Sequence, residues 1–176
     1  MSEGKKTTVH GERLVPTAVE GSRTVQPNDI LSIVGRIVET APTTEKALDA
    51  VVELLHHRVP HFSWVGVYLM DGPSELVLGP FRGTPSPHTR IPLNQGICGA
   101  AASQKQTVIV SDVNADPRYL ACSLETKSEI VVPIMHGTHC LGEIDIDSDH
   151  PDAFGPDDQT LLEAIAAKVA PLLAKL

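Results

Sequence analysis

Apolar residues recur every three or four positions in three stretches of the chain, the spacing of amphipathic helices. The first stretch covers residues 28–41, where Asn28 or Asp29 is expected to cap the helix and a proline ends it. The second covers residues 43–59 and also ends before a proline, and the third covers residues 156–173 with a proline at its start. These spacings predict three helices that serve as scaffold.

Between the second and third helices the apolar pattern shortens to runs typical of β-strands, at residues 64–69, 75–78, 107–110, 130–134 and 140–146. Asp71-Gly72-Pro73 predicts a hairpin turn between the first two runs. Residues 79–90 and 111–126 are predicted as loops, and the small residues of 96–103 predict a short helix. Helices at both ends of a short-stranded antiparallel sheet define an α+β domain.

Residues 1–27 show no sustained period and mix glycine, threonine, proline and charged residues. Such a segment cannot bury enough apolar surface to become ordered, so a flexible N-terminal tail is expected. The remaining residues, 28–176, are the right length for one domain with one core.

Composition narrows the possible partners. The chain has 22 acidic and 14 basic residues and a formal net charge of −8, which provides no general attraction to nucleic acid or anionic lipid. No apolar run approaches the roughly 20 residues of a membrane helix, and the first residues lack the apolar stretch of a secretory signal. We therefore expect a cytoplasmic protein that binds neither nucleic acid nor membranes.

The three cysteines stand in different surroundings. Cys140 lies next to apolar sequence and is expected to be inert, whereas Cys122 lies in polar loop sequence. Cys98 falls in the first turn of the predicted short helix, where outward-pointing amides favour the thiolate; the alternative is a small buried residue. An odd number of cysteines suits a reducing compartment, where a disulfide would be transient and chemical.

Three carboxylates follow Cys122 in the sequence: Glu129, Asp145 and Asp147. Thiols combined with carboxylates suggest sulfur chemistry on a small polar molecule.

Six blocks of sequence resemble, in order, those of the free methionine-(R)-sulfoxide reductases: residues 63–68 (SWVGVY), 76–81 (LVLGPF), 90–92 (RIP), 96–102 (GICGAAA), 128–133 (SEIVVP) and 142–148 (GEIDIDS). The resemblance extends over approximately residues 28–173. The joint occurrence of the six blocks is far more specific than any one glycine motif. The resemblance implies the GAF fold: an antiparallel sheet of about six strands, with helices packed on one face and a loop-covered pocket on the other. It also implies a homodimer.

The same resemblance implies reduction of free L-methionine (R)-sulfoxide to methionine. A thiolate attacks the sulfoxide sulfur, methionine leaves, and the resulting sulfenic acid condenses with a second cysteine to a disulfide. Cys122 matches the family's nucleophile, whereas His88 stands at the position of the family's resolving cysteine. Either Cys98 must then resolve the sulfenic acid of Cys122, or a small thiol must reduce it directly, and the roles of Cys98 and Cys122 can be exchanged. Thioredoxin or a small thiol then regenerates the protein, and no cofactor is required.

The substrate pocket is expected to contain family-like binding residues. Glu129, Asp145 and Asp147 match carboxylates that hold the ammonium and the sulfoxide region, and one of them, kept protonated by burial, would donate to the sulfoxide oxygen. Trp64 matches the aromatic wall against the substrate methyl group, and Tyr68 lies in the same block. Each also has a simpler interpretation: Trp64 as a core aromatic, Glu129 and Asp145 as outward-facing strand residues, and Asp147 as a polar strand end.

One position departs from the family. His88 stands where related bacterial proteins carry a third pocket cysteine. We expect His88 to be a pocket residue that lowers the pKa of a nearby thiol by pairing with its thiolate. The alternative is that it is an ordinary loop residue.

The histidine also opens an alternative function. His88, Cys98 and Cys122 would form a site for zinc, copper or iron in a metal-dependent enzyme acting on a small thiol or amino acid. A third hypothesis is a GAF module that senses a small ligand without catalysis.

Overall fold

The computed structural model describes residues 26–120 and 123–176. The helices are α1 (Pro27–Thr40), α2 (Thr44–Arg58), α3 (Gly96–Gln104) and α4 (Pro156–Leu173), with a short 3₁₀ turn at Val113–Ala115. The strands are β1 (Trp64–Asp71), β2 (Glu75–Arg82), β3 (Arg90–Pro92), β4 (Val108–Val110), β5 (Ser128–His136) and β6 (His139–Ser148). Most of the prediction of residues 1–27 as a flexible tail lies outside the described residues.

The six strands form one antiparallel sheet in the order β3-β2-β1-β6-β5-β4. The two central strands, β1 and β6, pair along most of their length. The hairpin between β1 and β2 and the antiparallel sheet are therefore confirmed. The predicted α+β class and GAF-like architecture are confirmed with them.

Three of the four helices cover one face of this sheet. Side chains of α1, α2 and α4 pack with alternate residues of the central strands, including Val65, Val67, Ile144 and Ile146, in the main apolar core. The short helix α3 lies against the opposite face, where Ile97, Cys98, Ala101 and Ala102 pack with Trp64 and Tyr68 in a smaller core. The sheet thus separates a thick scaffold side from a thinner side.

Several element boundaries differ from the predictions, and two of them, the start of α1 and the end of β2, have a clear physical reason. The first helix begins at Pro27 with Gln26 at the N-cap, so the predicted cap at Asn28 or Asp29 is wrong. Proline has its φ angle fixed near the helical value and lacks the amide that a first-turn residue would leave unpaired, so it opens the helix without a side-chain cap.

The second strand extends to Arg82, although residues 79–90 were predicted as a loop. Its Gly79 and Pro80 lie where the register between β1 and β2 shifts, and such an irregularity accommodates a proline that cannot donate a ladder hydrogen bond.

Candidate functional site

Strand pairing brings three of the predicted site residues into one row on the thinner side of the sheet. Trp64 of β1 pairs with Asp147 of β6, and Asp147 pairs with Glu129 of β5. All three side chains are buried, so the interpretation of Glu129 as an outward-facing strand residue is wrong. Residues that are far apart in the sequence are therefore adjacent across the middle of the sheet.

The alternation of β6 adds two more carboxylates to this face. Glu143, Asp145 and Asp147 point to the thinner side, because successive side chains of a strand point to opposite faces and Ile144 and Ile146 occupy the main core. Glu143 is fully buried and Asp145 is 3% exposed. Together with Glu129, the strands thus place four buried carboxyl groups in one cluster on this face of the sheet.

The thiol of Cys98 reaches this carboxylate cluster from α3. Its Sγ lies 3.3 Å from Asp145 Oδ2, to which it donates, and 3.9 Å from Glu129 Oε1. The helix can sit this deep because Gly99 has no side chain: a Cβ there would lie 2.7 Å from the carbonyl oxygen of Pro92. The small residues of α3 therefore hold a thiol against two carboxyl groups.

Burial dominates the acid–base properties of the cluster. It raises the pKa values of Glu129, Glu143 and Asp147, and the negative charge of neighbouring carboxylates raises them further. Burial also raises the pKa of Asp145 to about 7. Both Glu143 oxygens and Asp145 Oδ1 are buried without a hydrogen-bond partner. Burial therefore favours the protonated forms of these groups, and a cation beside them would favour their ionised forms.

The predicted bias of Cys98 toward the thiolate is wrong. Burial raises its pKa well above the ordinary value, and the charges of Asp145, Glu143 and Glu129 raise it further. The partial positive charge of the helix N-terminus would lower the pKa of Cys98. It does not outweigh the effects of burial and of the neighbouring carboxylates, because the buried thiol is surrounded by negative charge. Cys98 is thus a protonated thiol at rest, and the nearby Asp145 is positioned to accept its proton.

A narrow opening lies beside Asp147. Its Oδ2 lies 3.3 Å from the hydroxyl of Thr126, and both residues line a cavity of about 60 Å³ together with Trp64. The Trp64 ring stacks on Phe81 and donates from Nε1 to the Thr84 carbonyl at 3.0 Å. Trp64 is therefore held as one rigid wall of this opening, although it also belongs to the smaller core.

Tyr68 and His88 are linked through the backbone. The Tyr68 hydroxyl donates to the carbonyl oxygen of His88 at 2.7 Å, and the His88 amide donates to Ser86 Oγ at 3.1 Å. Tyr68 is fully buried and His88 is half-buried. The tyrosine thus anchors the loop that carries the histidine.

The predicted nucleophile, Cys122, lies outside the described residues, so its role stays a prediction. Within residues 26–120 and 123–176, one set of three side chains could hold a metal ion, Cys98, Glu129 and Asp145, with ligand atoms within 4.8 Å of one another. His88 is not in that set. The alternative site of His88, Cys98 and Cys122 also stays a prediction.

Cys140 is half-buried, donates to the Gly142 carbonyl, and has a pKa raised by burial, as expected of an inert thiol.

Three residues of the site were missed by the sequence interpretation: Glu143, Thr126 and Gly66. Glu143 was detectable, because it precedes Asp145 and Asp147 at the same two-residue period. Gly66 makes room for Trp64, since a Cβ there would lie 2.2 Å from the ring. The contact between Thr126 and Asp147 had no signal, because it depends on the path of the loop before β5.

The antiparallel sheet with its buried thiol and carboxyl groups belongs to a GAF domain, because the GAF domain family model matches residues 43–173. GAF domain-containing protein A of Dictyostelium discoideum is 45% identical over 105 residues, covering 60% of this chain and 66% of the relative. The free methionine-R-sulfoxide reductase of Escherichia coli is 35% identical over 121 residues, covering 69% of this chain and 72% of the relative. The chain thus spans about two thirds of the length of these relatives.

A solved structure agrees with the sequence relatives. The free methionine-R-sulfoxide reductase of Neisseria meningitidis, in complex with its substrate, superposes with a TM-score of 0.81 at 34% identity, covering 89% of this chain and 93% of that one. The chain therefore belongs to the free methionine-R-sulfoxide reductase family of GAF domains, which confirms the resemblance found in its six sequence blocks. Among the helices that the structure describes, none is long and apolar enough to cross a membrane.

Proposed function

We propose that the protein reduces free L-methionine (R)-sulfoxide to methionine with its own cysteines. The observation that carries this proposal is the thiol of Cys98, 3.3 Å from Asp145 Oδ2 within four buried carboxyl groups. A free amino acid brings an ammonium group, which buried carboxylates can neutralise, and a sulfoxide, which a thiolate can reduce. Membership in a family whose relatives carry this activity supports the same assignment.

In the first chemical step, the Cys122 thiolate attacks the sulfoxide sulfur while a protonated carboxyl group donates to the sulfoxide oxygen. The raised pKa values of the pocket carboxyl groups supply such a donor near neutral pH. The attack forms a sulfur–sulfur bond, and protonation turns the sulfoxide oxygen into a hydroxyl group. That hydroxyl group then passes to the Cys122 sulfur: the substrate sulfur–oxygen bond breaks, a Cys122 sulfur–oxygen bond forms, and the electron pair of the sulfur–sulfur bond returns to the sulfur of the departing methionine. Cys122 remains as a sulfenic acid.

In the second step, Cys98 attacks the sulfenic sulfur. Asp145 accepts the thiol proton across the 3.3 Å contact, the hydroxyl group leaves as water after protonation, and a disulfide forms. A dithiol such as thioredoxin, or a small thiol, reduces that disulfide. From the family resemblance we also infer a homodimer working in the cytoplasm.

The test is consumption of the (R) and (S) epimers of free L-methionine sulfoxide, followed by chiral chromatography with thioredoxin as the reductant. We expect selective loss of the (R) epimer, abolished by Cys122→Ser. Cys98→Ser should still release about one methionine per chain in a single turnover but lose thioredoxin-dependent turnover. The matched control Cys140→Ser changes a half-buried thiol outside the pocket and should keep activity within about twofold. Equal loss of both epimers in the wild type would contradict the assigned (R) selectivity, and no loss of either epimer would contradict the proposal and favour a ligand sensor.

A further inference from the structure

The sulfur of Cys98 lies close to the spacing of a zinc site from carboxylate oxygens of both Glu129 and Asp145, and the three donor atoms lie within 4.8 Å of one another. In a tetrahedral site with Zn–S near 2.3 Å and Zn–O near 2.0 Å, neighbouring sulfur and oxygen ligands lie about 3.5 Å apart. The Cys98 Sγ lies 3.3 Å from Asp145 Oδ2 and 3.9 Å from Glu129 Oε1. Small side-chain movements would therefore bring all three donors to one ion.

Unpaired buried oxygens provide a second and independent indication of a ligand. Asp145 Oδ1 has no hydrogen-bond partner, and neither oxygen of the fully buried Glu143 has one. A buried polar atom without a partner costs free energy, and several carboxyl groups in one pocket repel one another when ionised. A cation bound beside them would offset the negative charge of the ionised carboxyl groups and so relieve their mutual repulsion.

The type of donor selects the ion. One thiolate with two carboxylate oxygens suits a borderline ion such as Zn²⁺, whereas Mg²⁺ and Ca²⁺ prefer sites built from oxygen alone. The three residues come from α3, β5 and β6, so the packed elements of the domain hold the donors close together before an ion binds.

We propose that the pocket binds one Zn²⁺ per chain through Cys98 Sγ and one carboxylate oxygen each of Glu129 and Asp145, and that this ion blocks the reductase. The thiol proton leaves to solvent when the zinc–sulfur bond forms. Cys98 can then no longer form the disulfide, and the carboxylates no longer accept an ammonium group. The binding does not depend on the reductase chemistry; only the inhibition rests on the proposed function.

The test is a titration of chelator-treated, thiol-reduced protein with zinc sulfate, in competition with a chromogenic zinc indicator. We expect one Zn²⁺ per chain, and at least a tenfold loss of affinity in Cys98→Ser and in Asp145→Asn. Cys140→Ser is the matched control and should bind as the wild type does. Cobalt should give a thiolate charge-transfer band that Cys98→Ser removes. Circular dichroism melting of each variant verifies that it is folded.

Three results would overturn the inference: no zinc bound by the wild type, unchanged affinity in folded Cys98→Ser and Asp145→Asn, or loss of binding in Cys122→Ser alone. The last would indicate a different ligand set. Direct binding separates this inference from the proposed function. Zinc bound by a protein without reductase activity leaves the inference standing, and an active reductase that binds no zinc refutes it alone.

Discussion

Gly66 fixes where the Trp64 ring can lie. A Cβ at this position would come within 2.2 Å of Trp64 Cη2 and 2.6 Å of Cζ3, distances that real side chains do not adopt. Any side chain here must therefore displace the indole from the surface of β1. Because the ring is one wall of the opening beside Asp147, its displacement changes the shape of the pocket directly.

The substitution Gly66→Ala should therefore impair the reductase and the fold together. We expect the KM for free methionine (R)-sulfoxide to rise about tenfold and the free energy of unfolding to fall by about 1–3 kcal/mol, the usual cost of overpacking. Steady-state kinetics and urea unfolding measure the two effects. Gly35→Ala is the control, because it lies inside α1 with its nearest neighbour, Lys168 Nζ, 3.9 Å away, and alanine there should stabilise the helix. Equal kinetics in wild type and Gly66→Ala would show that the ring position does not matter.

Removal of the negative charge of Asp145 should stabilise the folded protein. Its folded pKa of about 7 lies above the unfolded value, so stability falls as pH rises from about 4 to 7. At pH 8, with a chelator present, Asp145→Asn is expected to raise the free energy of unfolding by about 1–3 kcal/mol while reductase activity is lost. Urea unfolding at pH 8 and pH 5 should show a smaller gain at the lower pH. A destabilised variant at pH 8 would mean that hydrogen bonding by the carboxylate outweighs its burial.

For single residues, the sequence predicts which side chains belong to the pocket better than it predicts which of them are in contact. The two-residue period of β6 predicts that Asp145 and Asp147 share one face of a strand, and the family blocks assign them to a pocket. The 3.3 Å contact between Cys98 and Asp145 could not be derived, because 47 positions and several turns separate the two residues. The protonation of Cys98 was mispredicted for the same reason, since its acidic neighbours come from other elements.

At the scale of elements, the start of α4 depends on Asp158. Its carboxylate accepts from the Gly155 amide at 2.9 Å and lies 3.0 Å from His61 Nε2, which connects the helix to the segment before β1. Burial alone would raise the pKa of Asp158, but the hydrogen bonds from His61 and Gly155 lower it overall. The ionised carboxylate therefore contributes to stability.

We expect Asp158→Ala to cost about 1 kcal/mol at pH 7, as for the loss of other helix caps. Because the folded pKa is lowered, this contribution is present above the unfolded pKa and disappears as pH falls through the folded value. Thermal unfolding at pH 7 and at about pH 3 should show the difference shrinking in acid. Asp157→Ala is the control, because it removes an exposed carboxylate from the same turn. An equal loss in both variants would assign the effect to the helix dipole rather than to these hydrogen bonds.

Every element with a long pattern was predicted, and the strand that was missed is a short one. The periods of α1, α2 and α4 extend over 14 residues or more, so packing reinforces a signal already present in each segment. The strand β3 has three residues and no period of its own. The extension of β2 through Gly79 and Pro80 contradicts local propensity and is stabilised by pairing with β1, which only the assembled sheet supplies.

For the whole molecule, the expectation of a flexible N-terminal tail leads to a deletion test. Removal of residues 1–25 should leave the melting temperature within about 2 °C and the reductase kinetics within about twofold, because the sequence of this segment has no sustained apolar period with which to join a core. Differential scanning calorimetry and the epimer assay provide the comparison. A large loss of stability or activity would show that the segment contributes to the fold or to the pocket.

The alternation of β6 also determines which kinds of genetic change the molecule can survive. On one face, Ile144 and Ile146 complete the helical core, and on the other, Glu143, Asp145 and Asp147 supply the pocket. Deleting one residue from this strand would shift the following residues by one position and so move their side chains to the opposite face of the sheet. Carboxylates would then point into the apolar core, and isoleucines would point into the pocket. Point substitutions on either face damage one property at a time, whereas a single lost codon within β6 would abolish fold and chemistry together.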